Sequence, residues 1–168
     1  MKIIFDTTQK HSTDNNVPGV YLNKAIAIVS DLYSLLDGLG ELDIVELIRV
    51  SFLKNIACPS DLTISFKFIL VYNRHSHGQE KIEMVAQWYV GSNEIIWGKV
   101  SRIRDDIPDD FIVLGDRKTI RCDNDNLRTI ARALMRAISL KMQKVCLGID
   151  KDRESLAKTA SKLLSCSK

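Results

Sequence analysis

The chain has 168 residues, 45% hydrophobic and 27% charged, enough apolar material for one well-buried core with an appendage and too much for a disordered protein. Its net charge of +3 is held unevenly: residues 1–110 carry 11 Lys/Arg against 15 Asp/Glu, and residues 111–168 carry 13 against 6, so an anionic partner would meet the C-terminal region. No apolar run approaches the roughly 18 residues that cross a bilayer, and Cys58, Cys122, Cys146 and Cys166 form no C-x-x-C pair; with no secretory signal read, reduced thiols and a cytoplasmic location are expected.

In chain order, Lys2 to Thr7 is a short β-prone run and Gln9 to Asn16 a polar loop. Pro18 stands where a helix can begin, and Leu22, Ala25, Ile26, Val29, Leu32, Tyr33 and Leu36 recur at three- and four-residue steps, which predicts one buried helix from Val20 to about Leu36. Gly38 and Gly40 end it. The period then changes to two. Ile48, Val50 and Phe52 share one face, and after a turn at Pro59-Ser60-Asp61 so do Ile64, Phe66, Phe68, Leu70 and Tyr72. A loop from Asn73 to Gly78 leads into Ile82, Met84, Ala86, Trp88 and Val90, and Gly91-Ser92-Asn93 turns the chain into a strand from Glu94 to Arg104. These runs predict an antiparallel meander with one apolar and one mixed face.

The change of charge sets a boundary near Ile107-Pro108-Asp109-Asp110, dividing a domain at 1–110 from a basic helical extension at 111–168. In the extension Phe111 to Leu114 reads as an added strand. Asp123 or Asp125 is the expected N-cap of a helix from Leu127 to Val145, Gly148 its stop, and a shorter helix follows from about Asp152 to Leu164. Arg128, Arg132 and Arg136 repeat every four residues on one side of the first helix, with Lys141 and Lys144 nearby. Such a stripe is either a solvated face or a docking surface for an acidic protein. It lacks the interleaved aromatics of a nucleic-acid site, so no nucleic acid is expected. His75-Ser-His77, with Asn73 before and Gly78 after, reads as a hairpin tip rather than a metal site.

The stretch from His11 to Lys24 carries the chemistry. A helix opening at Pro18-Gly19-Val20 presents unpaired N–H groups and partial positive charge, which polarise a carbonyl, and a nearby imidazole at His11 moves protons. Taken singly, each has a plainer reading: a histidine in a polar loop is ordinarily a surface residue, and Pro at a helix start is good capping.

Together with the segment Ile48-Arg-Val-Ser-Phe52-Leu-Lys-Asn-Ile-Ala-Cys-Pro59-Ser-Asp61-Leu62, which looks like a "K-F-x-x-P-V-x-P-G-D-x-L" strand and turn, this stretch resembles the hotdog fold and, within it, the 3-hydroxyacyl-[acyl carrier protein] dehydratases of fatty-acid biosynthesis. The likeness covers roughly residues 3–104 and implies an α+β chain, a central helix wrapped by an antiparallel sheet, here with a C-terminal helical extension. It further implies a lyase acting on carrier-protein or CoA thioesters, paired as a homodimer or hotdog heterodimer, with no cofactor, metal or membrane span. By the resemblance His11 is the base, the Gly19 or Val20 amide holds the thioester oxygen, and Lys24 occupies the position of the family acid, able to deliver a proton where burial lowers its pKa. Arg128, Arg132 and Arg136 become the docking surface for the carrier protein. Departures are specific: Ser12-Thr13-Asp14 stands for Phe-Pro-Gly, Ser60 for the turn glycine, and Lys24 for the acid. They motivate two alternatives, a non-catalytic subunit or acyl-binding protein, and an acyl thioesterase in which Asp31 supplies the acid.

Overall fold

The computed structural model describes residues 1–7, 17–54, 62–74, 78–101 and 113–145. His11, Asp14, His75, His77, the turn at Pro59-Ser60-Asp61, Gly148 and the expected second tail helix lie outside the described residues. The chain divides into two compact units, Met1–Ala137 and Ile138–Lys168. In the first, β1 (Lys2–Asp6) is followed by α1 (Gly19–Gly38), a 3-10 turn (Leu42–Ile44), and then β2 (Val45–Lys54), β3 (Leu62–Arg74), β4 (Gly78–Tyr89), β5 (Glu94–Ser101) and β6 (Val113–Arg121). A second helix, α2, occupies residues 127–145, and its last turns, from residue 138, are the described part of the second unit. The class is α+β.

The six strands form one sheet in chain order, antiparallel from β2 to β6, with β1 parallel to β2. Parallel neighbours need a crossover rather than a hairpin, and the stretch containing α1 supplies it. Alternation along the strands sorts side chains into two faces, and register aligns the apolar ones in rows: Ile48, Phe68 and Met84; Val50, Phe66, Ala86 and Trp97; Phe52, Ile64, Trp88, Ile95 and Ile120. Every member of these rows is buried. The opposite face is mixed, with Ser51, Ser65 and Gln87 opposite one another and an ion pair between Lys67 and Glu83 at 3.4 Å. At the far end of the β3–β4 hairpin the Tyr72 hydroxyl donates to the Glu80 carboxylate directly across from it.

Helix α1 buries Ala25, Ile28, Val29, Leu32 and Leu36, a stripe at steps of three and four, while Ile26 and Tyr33 of the expected apolar set face water. Propensity alone does not hold a 20-residue helix of this composition in place; burial of that stripe does. Its C-terminus is a Schellman motif: the Glu41 N–H donates to the Leu36 carbonyl and the Gly40 N–H to the Asp37 carbonyl, both at 2.9 Å, with Gly40 at φ 70°. A side chain at Gly40 meets no neighbour, so any cost there comes from the left-handed backbone. Gly40→Ala is expected to lower the unfolding free energy by about 1–2 kcal/mol, and Gly40→Asn by less, since Asn tolerates that region; equal urea midpoints for wild type and Gly40→Ala would refute this.

Two irregularities shape the sheet. Between Val45 and Leu47 the β2–β3 register shifts by one, and between Trp97 and Lys99 the β5–β6 register does the same, with three steps on β6 opposing two on β5. Helix α2 buries Ile130, Ala131, Ala133, Leu134 and Ala137 in the first unit. Its N-cap is Asn126, not Asp123 or Asp125: the Asn126 Oδ1 accepts the Arg128 N–H at 3.1 Å. Asp123 instead accepts the Asp125 N–H in a local turn at 3.0 Å, and its own N–H donates to the Thr129 hydroxyl at 2.9 Å.

Candidate functional site

The opening of α1 is the feature with chemistry. Pro18, at φ −54° and ψ 134°, is the N-cap residue, and its carbonyl accepts the Tyr21 N–H at 3.0 Å and lies 3.4 Å from the Leu22 nitrogen. No side chain caps the helix and no acidic residue lies in its first turn. Among the described residues the Gly19 and Val20 N–H groups therefore have no acceptor, and nothing offsets the partial positive charge of the helix end. A Cβ built on Gly19 finds nothing within 4 Å, and Val20 is 59% exposed. Two such donors with the dipole behind them suit a carbonyl oxygen that gains negative charge.

Lys24 is one turn further on, four residues from Val20 and so on its side of the helix, and it is half-buried. Asp31, also half-buried, falls seven residues beyond Lys24, nearly in line with it. The structure thus places Gly19, Val20, Lys24 and Asp31 along one helix, whereas Arg128, Arg132 and Arg136 belong to α2. All three arginines are exposed.

Two features were not foreseen from the residues. The first is an open cleft of about 610 Å³ lined by Ser92, Asn93, Glu94, Arg121, Cys122 and Asp123, where β5 begins and β6 ends. Its walls are tied by the Cys122 N–H donating to the Asn93 carbonyl at 2.8 Å and the Asn124 amide donating to the Gly91 carbonyl at 2.7 Å. Burial pushes the Cys122 thiol above its ordinary pKa, with the Asp123 and Glu94 carboxylates adding to the effect, so this thiol is a poor nucleophile near neutral pH. The second is Trp97, 3% exposed, whose indole N–H has no acceptor among the described residues, with the Lys118 ammonium 5.4 Å from its ring centroid. Glu94 and Arg121 in the cleft, like Trp97 and Lys118, face each other only through the β5–β6 pairing, which no local pattern announces.

Among the described residues no group of His, Cys, Asp and Glu is placed to hold a metal ion, and no helix is long and apolar enough to cross a membrane. Compared with protein-family models, with curated proteins and with solved structures, the chain matches none.

Proposed function

We propose that this protein is a hotdog-type, dehydratase-like lyase acting on 3-hydroxyacyl thioesters carried by CoA or a carrier protein, working as a dimer. The observation that carries the reading is the helix start at Gly19 and Val20, which has no side-chain cap among the described residues, on a helix that precedes a mostly antiparallel sheet with rows of buried apolar side chains on one face. Its support outside the geometry is the resemblance of the His11 to Lys24 stretch and of the Ile48 to Leu62 segment to that family.

In the proposed reaction the thioester oxygen accepts hydrogen bonds from the Gly19 and Val20 amides, which stabilise the enolate formed when the His11 imidazole takes the C2 proton. The C2 electron pair then forms the C2–C3 double bond, the C3–O bond breaks, and the hydroxyl leaves as water with a proton from the Lys24 ammonium. An ammonium differs from the family carboxyl in having no acceptor lone pair, so it binds the substrate hydroxyl less well. That one substitution favours a second reading, a non-catalytic acyl-binding subunit whose partner holds the complete site.

A 3-hydroxybutyryl thioester assay, followed by the ultraviolet absorbance of the enoyl product, tests both. Turnover by the wild-type chain, a loss of roughly 10²–10⁴ in kcat for His11→Ala, and a gain for Lys24→Glu are expected. No enoyl product from wild type or Lys24→Glu, with the thioester still bound, transfers the assignment to the acyl-binding subunit. Thiol release without enoyl product makes it a thioesterase, with Asp31→Asn the variant that then loses activity.

A further inference from the structure

We propose that the indole N–H of Trp97 and the ammonium of Lys118 form a recognition point for a small monocarboxylate at the β5–β6 side of the sheet. Trp97 lies on the apolar face in one row with Val50, Phe66 and Ala86, and is 3% exposed. Its Nε1 is the one buried side-chain nitrogen or oxygen among the described residues that has no hydrogen-bond partner. Such a donor loses its hydration on folding without a replacement, and native chains rarely keep one. Trp88 makes the contrast within the same sheet: it is as deeply buried, and its indole N–H reaches the Ser92 carbonyl at 2.9 Å. A ligand that brings an acceptor to Trp97 removes the penalty that the folded chain otherwise carries.

The neighbouring chemistry selects the ligand. Lys118 is the register partner of Trp97, and its ammonium lies 5.4 Å from the ring centroid, so a positive charge is fixed beside the unpaired donor. Lys118 is engaged elsewhere as well, and what the site takes from it is that nearby charge. Both groups only donate. A water molecule brings two protons that need acceptors of their own, whereas a carboxylate brings acceptors alone and the opposite charge. One N–H and one ammonium match a single negative charge; a phosphate, with more oxygens and more charge, calls for further donors. Packing sets the size: Val50, Phe66 and Ala86 are each 0% exposed, so the apolar part of the ligand is short. Access runs along the sheet edge. β6 is the outermost strand, its register with β5 shifts between Trp97 and Lys99, and Lys118 is half-buried, so the indole is reached by a local displacement at the edge rather than by opening the core. The site shares no residue with the α1 opening, so its failure leaves the acyl chemistry standing and the reverse also holds.

The test is an NMR titration of the full chain carrying isotope-labelled tryptophan, which gives one indole N–H signal for each of its two tryptophans; the Trp97 signal is the one missing from Trp97→Phe. Acetate and propionate are the probes, with ionic strength held constant by sulfate, and chloride and neutral acetamide are the controls. Expected is a saturable downfield shift of the Trp97 indole proton with either carboxylate while the Trp88 signal stays in place. Affinity should fall about tenfold in Lys118→Met, the loss of one charge-assisted contact, and return in Lys118→Arg. Circular dichroism checks that Lys118→Met folds; if it does not, Trp97→Phe decides, because it keeps a ring and lacks the donor, and ligand-detected NMR should then find acetate binding lost. A Trp97 proton that does not shift saturably with either carboxylate, or that responds equally to chloride or acetamide, overturns the proposal. So does acetate binding that Trp97→Phe leaves unchanged.

Discussion

Trp88→Ala is expected to lower the unfolding free energy by about 3–5 kcal/mol, the range for a fully buried aromatic truncated to a methyl group. Trp88 is 0% exposed, at the middle of the row formed with Phe52, Ile64, Ile95 and Ile120, so the vacated volume opens where five strands meet and little can collapse into it. Its indole N–H also donates to the Ser92 carbonyl at 2.9 Å, which pins the β4–β5 turn to the sheet. Trp88→Phe separates the two contributions: it retains most of the packing and loses the hydrogen bond, whose net worth is about 1 kcal/mol. The measurement is urea unfolding followed by circular dichroism, because Trp97 would confuse fluorescence. A shift in midpoint without a change in slope is the expected signature. A loss below about 1 kcal/mol for Trp88→Ala would mean that this row is not the centre of the core.

Gly19→Pro is the second. It removes one N–H from the helix opening and changes almost nothing else. Gly19 is the first helical residue, where proline's fixed φ is already suited; Pro18 before it has ψ 134°, the extended value that a residue ahead of proline requires; and nothing lies within 4 Å of a new Cβ. Stability should therefore stay within about 0.5 kcal/mol of wild type. If this amide holds the thioester oxygen, kcat falls by roughly 10²–10³, the cost of deleting one preorganised donor. Gly19→Ala, which keeps the N–H, controls for the side chain and should retain turnover. A Gly19→Pro enzyme as active as Gly19→Ala would remove the amide from the mechanism and leave Pro18-Gly19-Val20 as capping alone.

Much of the architecture could be read locally. The α1 stripe at Ala25, Val29, Leu32 and Leu36, the two-residue alternation through β2, β3 and β4, and the turn at Gly91, φ 94°, all express preferences that act over a few residues. The helix start within the candidate site was legible for the same reason, since Pro18 and Gly19 are strong local signals of a helix opening. Tyr33 and Ile26 show the limit, for both fit the apolar period and both face water, because a stripe read from a period is wider than the face that finds cover.

Tertiary structure decided what local pattern does not encode. Chain periodicity names the face of a strand but not its neighbour, so β1 could not be placed parallel to β2, nor Trp97 opposite Lys118, until the sheet was assembled. β6 runs to Arg121, seven residues beyond Leu114, because backbone pairing with β5 carries it through Gly115, Asp116, Arg117 and Lys118; the bulge there breaks the alternation by which a strand is recognised. The N-cap passed to Asn126 because the Asp123 side chain bonds one turn too early. A side chain's local preferences are written in its immediate sequence, whereas its partners are set by which edges and faces remain open once distant segments have met.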